Sequence, residues 1–225
     1  RVTPRENPAV TGPWVCNWAR DLAGRLERPR AQAPLAKGRA IDFDAAVAAA
    51  RALVARARRP VALVSSGGSD EELRACRAAL DARFACFVKA DRRPEAGEVV
   101  QDDLLIRADK NPGRRTAQAL FGDAEAAFAP DTDLVLVWGE GCDFARLPRG
   151  VPLILLGAFA APENAQAEVF FPISLFTERR GHFTNFEGVT SAFERCFAPP
   201  PGVADAEQVF AALAVRRRQD EAVTP

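Results

Sequence analysis

The chain has 225 residues, of which 48% are hydrophobic, so it can fold around a sizeable core. Thirty basic and thirty acidic side chains cancel, which argues against a nucleic-acid surface or an anionic membrane surface as the main partner. No apolar run reaches the length of a membrane-spanning helix, so we expect no direct membrane insertion. Five cysteines at wide spacing indicate free thiols in a reducing, cytoplasmic setting.

The chain divides into intervals of different composition. It contains no methionine and opens at Arg1, so we expect a piece of a longer protein or an incomplete reading frame. Residues 1–28 form a distinct segment rich in Pro and Arg, and residues 29–40 are predicted to be a linker. Residues 41–203 carry the pattern of an α/β domain, and residues 204–225 are predicted to form a C-terminal helix and tail.

Five short, nearly continuous apolar runs predict the strands of the domain. They are residues 61–64, 84–88, 134–138, 153–156 and 169–171. Strands of this kind, separated by helices, are typical of a parallel sheet that is covered on both faces. We therefore predict a three-layer α/β/α fold with a mostly parallel sheet of about five strands, followed by a loop-rich segment and a helix.

Helical patterns lie between these strands. Asp42 is predicted to cap a helix whose apolar residues recur at helical spacing until Pro60. Ser69 and Glu72 have the spacing of a capping box at the start of the next helix. Further helices are predicted over residues 116–128 and 205–216.

Three polar features could carry chemistry, and for each we favour a structural explanation. Residues 65–69 join a strand to a helix N-terminus and could hold an anion, but they lack the Walker and the dinucleotide-binding spacings. Asp102 and Asp103 could hold a metal or transfer protons, although solvated loop charge explains them more simply. His182 is the only histidine, so we expect no zinc site of the usual kind, and no G-x-S-x-G accompanies it.

The cysteines do not form a complete metal-binding motif. No C-x-x-C is present, and four of the five have the surroundings of small core or loop residues. Those four are Cys76, Cys86, Cys142 and Cys196. Cys16 differs because it lies between two tryptophans, Trp14 and Trp18, within an unusual run of residues.

That run resembles the end of the [4Fe–4S] module in the molybdopterin-oxidoreductase superfamily. The matching residues are Val2, Pro4, Arg5, Glu6, Asn7, Pro8, Val10, Gly12, Trp14, Cys16 and Arg20. The likeness is closest to the large iron–sulfur subunit of bacterial NADH-quinone oxidoreductase (respiratory complex I). Residues 102–112, which end in ADKNP, and residues 181–188, which read GHFTNFEG, resemble two further motifs of that family in the same order.

The resemblance implies a cofactor-binding and metal-binding role for Cys16, as the fourth ligand of a [4Fe–4S] cluster whose other three cysteines precede Arg1. The resemblance also implies that residues 1–28 are the end of the cluster module. It implies that residues 41–203 form a molybdopterin-oxidoreductase-like domain without a pterin site. Molybdopterin is not expected, because Trp18 stands where pterin-binding members have Lys. No Cys-His pair of the kind that ligates molybdenum or tungsten follows.

Two further details bear on this resemblance. Trp14 and Trp18 could shield the cluster or could clamp the cluster module to the α/β domain, and the sequence leaves both open. Val189 stands where the family prefers Arg, which weakens a phosphate-contacting or partner-contacting role at that position.

Three functions follow from these expectations. The first is an electron-transfer and scaffold subunit of an NADH-quinone oxidoreductase (NADH dehydrogenase), with no complete active site in this chain. Its partners would be the other subunits of an NADH-oxidising complex, and it would be cytoplasmic and peripheral on the inner membrane. The second is a fragment of a molybdopterin-dependent oxidoreductase such as formate dehydrogenase. The third is a non-redox interaction domain, with residues 91–115 and 216–218 as candidate docking surfaces.

Overall fold

A seven-stranded, mostly parallel sheet forms the centre of the fold. The computed structural model describes residues 3, 6–8, 17–89, 96–99, 101–103 and 110–214. In chain order the strands are β1 (Leu35–Ala36), β2 (Arg39–Ala40), β3 (Pro60–Ser65), β4 (Ala85–Lys89), β5 (Leu134–Trp138), β6 (Leu153–Gly157) and β7 (Val169–Pro172). The last five are parallel and coincide with the five predicted runs, so the α/β fold class is confirmed.

The four predicted helices are present, but two are shorter than predicted, and one of these is the last helix, which ends at Leu213 and not at residue 216. The helices are α1 (Asn17–Arg20), α2 (Leu22–Leu26), α3 (Phe43–Arg56), α4 (Asp70–Ala79), α5 (Arg114–Phe121), α6 (Pro162–Gln166) and α7 (Ala206–Leu213). The Asp42 side chain accepts the Ala45 N–H at 2.7 Å, which confirms the predicted cap of α3. The prediction of a helix over 116–128 is wrong in its length, because Gly122 adopts a φ of +79° and ends α5 there.

The first two strands occupy part of the segment predicted to be a linker. Strand β1 pairs antiparallel with β7, and it turns back into β2 through Lys37 and Gly38, whose φ angles are +49° and +77°. Two consecutive positive φ values are the requirement of a tight hairpin turn that matches the twist of a sheet. Residues 35–40 of the predicted linker therefore form a hairpin that extends the sheet.

The two faces of the sheet are covered differently. Helices α3, α4, α5 and α7 cover one face, where the Trp138 and Phe210 rings meet edge to face at 5.0 Å. The other face packs against shorter elements, among them the end of α6 and a 3-10 turn at Phe144–Arg146. The result is the three-layer arrangement, with one layer of long helices and one thin layer.

The order of the strands places a topological switch point between β3 and β5. The full order is β2-β1-β7-β6-β5-β3-β4, so the parallel strands have the order 2-1-3-4-5 of a common doubly wound sheet. From β3 the chain moves to β4 on one side and then returns to β5 on the other. In open α/β sheets, ligands bind outside the carboxyl ends of the strands at this point.

A separate antiparallel hairpin, β8 (Gly181–Thr184) and β9 (Thr190–Phe193), follows the main sheet and contacts α4 and α5. Within the ranges that the structure describes, every helix is too short or too polar to cross a bilayer.

Candidate functional site

The turn at residues 65–69 lies at the switch point, between the end of β3 and the start of α4. Ser69 Oγ accepts the Glu72 N–H at 3.2 Å, and Glu72 Oε2 accepts the Ser69 N–H at 2.9 Å, which confirms the capping box. The first turn of α4 carries three acidic residues, and Asp70 and Glu72 are buried. Their carboxylates already complement the positive end of the helix, so an added anion would meet negative charge here.

A buried arginine fixes Glu72 from the other side. Arg179 Nη1 donates to Glu72 Oε1 at 2.6 Å, and Nη2 donates to the Gly67 carbonyl at 3.1 Å. The two side chains are only 9% and 3% exposed. Burial raises the pKa of Glu72 above its ordinary value, although Arg179 and the Ser69 N–H oppose that rise. This buried ion pair therefore connects the turn at residues 65–69 to the segment that follows β7.

Apolar packing fills the space beside the turn. A Cβ added at Gly68 would lie 2.3 Å from Trp138 Cη2, so only glycine fits between the turn and the end of β5. Gly113 is equally confined, because a Cβ there would lie 2.3 Å from the Gly68 carbonyl oxygen. The turn therefore packs directly against Trp138 on one side and against Gly113 on the other.

The loop before α5 contributes polar contacts to the same turn. Asn111 Nδ2 donates to Ser66 Oγ at 2.8 Å, and the Gly113 N–H donates to the Ser66 carbonyl at 3.0 Å. Ser66 Oγ in turn donates to the Lys89 carbonyl at 2.9 Å, at the end of β4. Ser66 therefore joins the ends of β3 and β4 to the loop that contains Asn111.

Residues 28–31, which we call the 28–31 strap, cross the carboxyl ends of β6 and β7. The Ala31 N–H donates to the Ala158 carbonyl at 3.2 Å, and the Ala160 N–H donates to the Pro29 carbonyl at 2.8 Å. The Arg30 guanidinium contacts both carboxylate oxygens of Glu178 and also donates to the Ala158 carbonyl at 2.9 Å. A fork of this kind between two largely buried side chains fixes the strap in one position.

A second arginine of the strap makes a more exposed contact. The Arg28 guanidinium lies 3.8 Å from the centre of the Phe159 ring and pairs with Glu140 at 2.8 Å. Glu140 follows β5, and Phe159 follows β6. The strap therefore contacts the ends of three neighbouring parallel strands.

The β8–β9 hairpin approaches the same helix start. Thr184 Oγ1 donates to Asp70 Oδ2 at 2.6 Å. His182 contacts Glu71 twice, with Nδ1 at 2.6 Å from Oε1 and with its backbone N–H at 3.0 Å from Oε2. Burial alone would raise the pKa of Glu71, but the hydrogen bonds from His182 lower it below its ordinary value on balance. His182 thus links the β8–β9 hairpin to the first turn of α4.

The predicted site residues fall partly outside the described chain. Cys16, Trp14 and residues 104–109 lie there, and so do residues 90–95 and the tail beyond Ala214. Trp18 lies in α1, and Asp102 and Asp103 are exposed. Residues of two sequence segments, 102–112 and 181–188, meet at the start of α4: Asn111 contacts it through Ser66, and His182 and Thr184 contact it directly.

The described cysteines lie in different environments. Cys76 is fully buried in the core, where burial raises the pKa of its thiol well above the ordinary value. Burial also raises the pKa of Cys86 to about 11, so both thiols stay protonated at neutral pH. Cys142 is half-buried and Cys196 is exposed. Among the described residues, no three His, Cys, Asp or Glu side chains gather where they could hold a metal ion.

Sequence reasoning missed the arginines and glutamates that fill this edge of the sheet. Arg30 and Glu178 are 148 positions apart, and Glu72 and Arg179 are 107 apart. Such pairs leave no local signal in the sequence, because a charged residue between apolar strands looks the same there whether it is buried in a pair or exposed on the surface. The capping box was visible in the sequence only because its two members are three residues apart.

No protein-family model matches this chain, and no curated protein matches it significantly.

Proposed function

We propose that this chain is part of an electron-transfer and scaffold subunit of an NADH-quinone oxidoreductase, with an α/β domain of the molybdopterin-oxidoreductase type that holds no pterin. The observation that carries the scaffold role is the occupation of the switch point by the chain's own side chains. Arg179, Glu72 and Trp138 fill the region where open α/β sheets take ligands. The redox role rests on the resemblance around Cys16, residues 102–112 and residues 181–188.

In this proposal, the N-terminal residues belong to a cluster-binding module and the remaining residues form the α/β domain to which that module is attached. Cys16 would supply one of four thiolates, with the other three supplied from upstream of Arg1. A [4Fe–4S] cluster, when bound, accepts and passes on single electrons at a potential tuned by its surroundings. The 28–31 strap follows α2 and fastens the chain after the module to the α/β domain, through the Arg30–Glu178 pair.

The proposed partners are the other subunits of an NADH-oxidising complex, which would donate and accept the electrons. Through them the protein would lie on the cytoplasmic side of the inner membrane. The balanced charge of the chain supports protein partners over nucleic acid.

The test uses the protein extended upstream of Arg1 and purified without oxygen. Iron, molybdenum and tungsten are measured together in the wild type, in Cys16→Ser and in Cys196→Ser as the matched control. We expect Cys16→Ser to lose about four irons per chain while Cys196→Ser keeps them, because Cys196 is an exposed thiol outside the resembling segment.

The other outcomes each favour a different function. Molybdenum or tungsten near one atom per chain would favour a molybdopterin-dependent oxidoreductase such as formate dehydrogenase. Iron that is unchanged in Cys16→Ser would remove Cys16 from the cluster and would favour the non-redox interaction domain for this piece.

A further inference from the structure

A groove of about 600 Å³ lies between the β1–β2 hairpin and helix α3, apart from the residues of the candidate site. Its apolar lining includes Leu53 of α3 and Val169 of β7, together with several alanines. A volume of this size is in the range that holds a ligand or a few side chains of a peptide. The groove therefore offers an apolar floor that is open to a partner.

The charges around this groove are strongly one-sided. Lys37, Arg39 and Arg56 contribute three cations, and Glu168 is the single carboxylate in the lining. Glu168 pairs with Lys37, with 3.0 Å between Oε1 and Nζ. In the part of the chain that the structure describes, the exposed side chains of Arg39 and Arg56 have neither a hydrogen bond nor an ion pair. Two unpaired guanidinium groups thus border the apolar floor.

The hairpin presents these cations from a fixed backbone. Lys37 and Gly38 form the tight turn, and the Lys37 N–H donates to the Glu168 carbonyl at 3.2 Å. Strand β1 is paired to β7 on one side and to β2 on the other. The position of Arg39 beside the groove is therefore set by the sheet, and that of Arg56 is set by the last turn of α3.

We infer that this groove docks an acidic segment of a partner protein that also carries apolar side chains. Guanidinium groups bind carboxylates through paired, charge-assisted hydrogen bonds, so Arg39 and Arg56 select for acidic residues. The apolar floor then takes a neighbouring apolar side chain of the same segment. The inference rests on the groove alone and holds whether or not the chain belongs to an iron–sulfur subunit.

The experiment selects binders from a random twelve-residue peptide library displayed on phage, with the purified chain immobilised. We expect the recovered peptides to be rich in Asp and Glu next to Leu, Ile or Phe. Synthetic copies of the two strongest are then titrated by fluorescence anisotropy against wild type and Arg39→Glu/Arg56→Glu. Affinity should fall about tenfold or more in the double variant, and it should also fall as salt rises.

Two further variants test whether the peptides bind in the groove itself. Arg51→Glu reverses a charge on the same helix outside the groove and should leave peptide affinity unchanged. Ala52→Trp fills the groove without changing its charge and should weaken binding as strongly as the double reversal. Circular dichroism confirms that each variant is folded. Recovered peptides without acidic bias, or equal binding by wild type and the double variant, would overturn the inference.

Discussion

The arginines of this protein lie in two contrasting environments. At the carboxyl edge of the sheet, Arg179 is buried and Arg30 is largely buried, with 15% of its side chain exposed, and each is paired with a buried glutamate. Beside the hairpin groove, Arg39 and Arg56 are exposed and make no pair in the described structure. Removing water from a charge is costly unless a partner compensates, so each buried arginine depends on its glutamate, whereas the exposed arginines keep their water and need no partner within the chain.

The largest expected effect comes from breaking a buried pair. Glu178→Gln keeps the shape of the side chain but leaves the Arg30 guanidinium buried without an anion. We expect a loss of about 3–5 kcal/mol in the free energy of unfolding, measured by urea denaturation. Glu140→Gln, which breaks the exposed pair with Arg28, serves as the control and should cost less than about 1 kcal/mol. Equal losses in the two variants would show that burial does not distinguish these pairs.

A smaller effect tests the packing at the switch point. Gly68→Ala places a Cβ 2.3 Å from Trp138 Cη2, so the indole or the turn must shift. We expect a loss of about 1–3 kcal/mol in unfolding free energy, together with a change in tryptophan fluorescence. Gly24→Ala in α2 meets nothing within 4 Å and should be neutral or stabilising. A Gly68→Ala protein as stable as the wild type would mean that this space is not filled as described.

The sequence predicted the sheet well, because its strands carry their own signal. Each parallel strand is a short apolar run, and β3 and β5 are buried at every position. The β1–β2 hairpin was missed, since its strands have two residues each and its turn begins with Lys37, not the Asn or Asp that usually marks such turns. Helix α5 was predicted too long because its alanine-rich continuation outweighed Gly122.

The candidate site could be predicted only in its local part. Residues 65–69 and the Ser69–Glu72 box were visible because a few adjacent residues define them. The partners that close the site are Arg30, which the 28–31 strap carries across the ends of β6 and β7, and Arg179, which lies in the segment between β7 and β8. Pairing across more than a hundred positions depends on the complete topology, which single-sequence patterns do not encode.

A third prediction compares the helix caps of the two regions. Ser69 caps α4 at the carboxyl edge and is buried, whereas Asp42 caps α3, the helix that lines the groove farther along, and is exposed. Ser69→Ala should cost about 1–2 kcal/mol, because the freed Glu72 N–H is buried, and Asp42→Ala should cost about 0.5–1 kcal/mol, because water replaces the cap. Thermal unfolding of both variants measures the difference. A larger loss from Asp42→Ala would reverse the comparison.

The smallest expected effect concerns the partly exposed Glu71–His182 contact and its dependence on pH. The pKa of Glu71 is lowered in the native state from an ordinary value of 4.5, so the unfolded carboxyl binds a proton first as pH falls. The stabilisation is therefore complete above about pH 4.5 and is lost as pH falls through the lowered pKa. Because the pair is partly exposed, we expect less than about 1 kcal/mol.

Urea unfolding at several pH values between 3 and 7 gives the free energy of unfolding as a function of pH. The slope of that curve below pH 4.5 measures the contribution of Glu71. In Glu71→Gln the slope below pH 4.5 should be shallower than in the wild type. His182→Leu keeps the backbone N–H that donates to Glu71 Oε2, so it should lose only part of that slope. If both variants follow the wild-type curve, the hairpin is held to α4 by Thr184 and Asp70 instead, and the His182 contact contributes nothing measurable to stability.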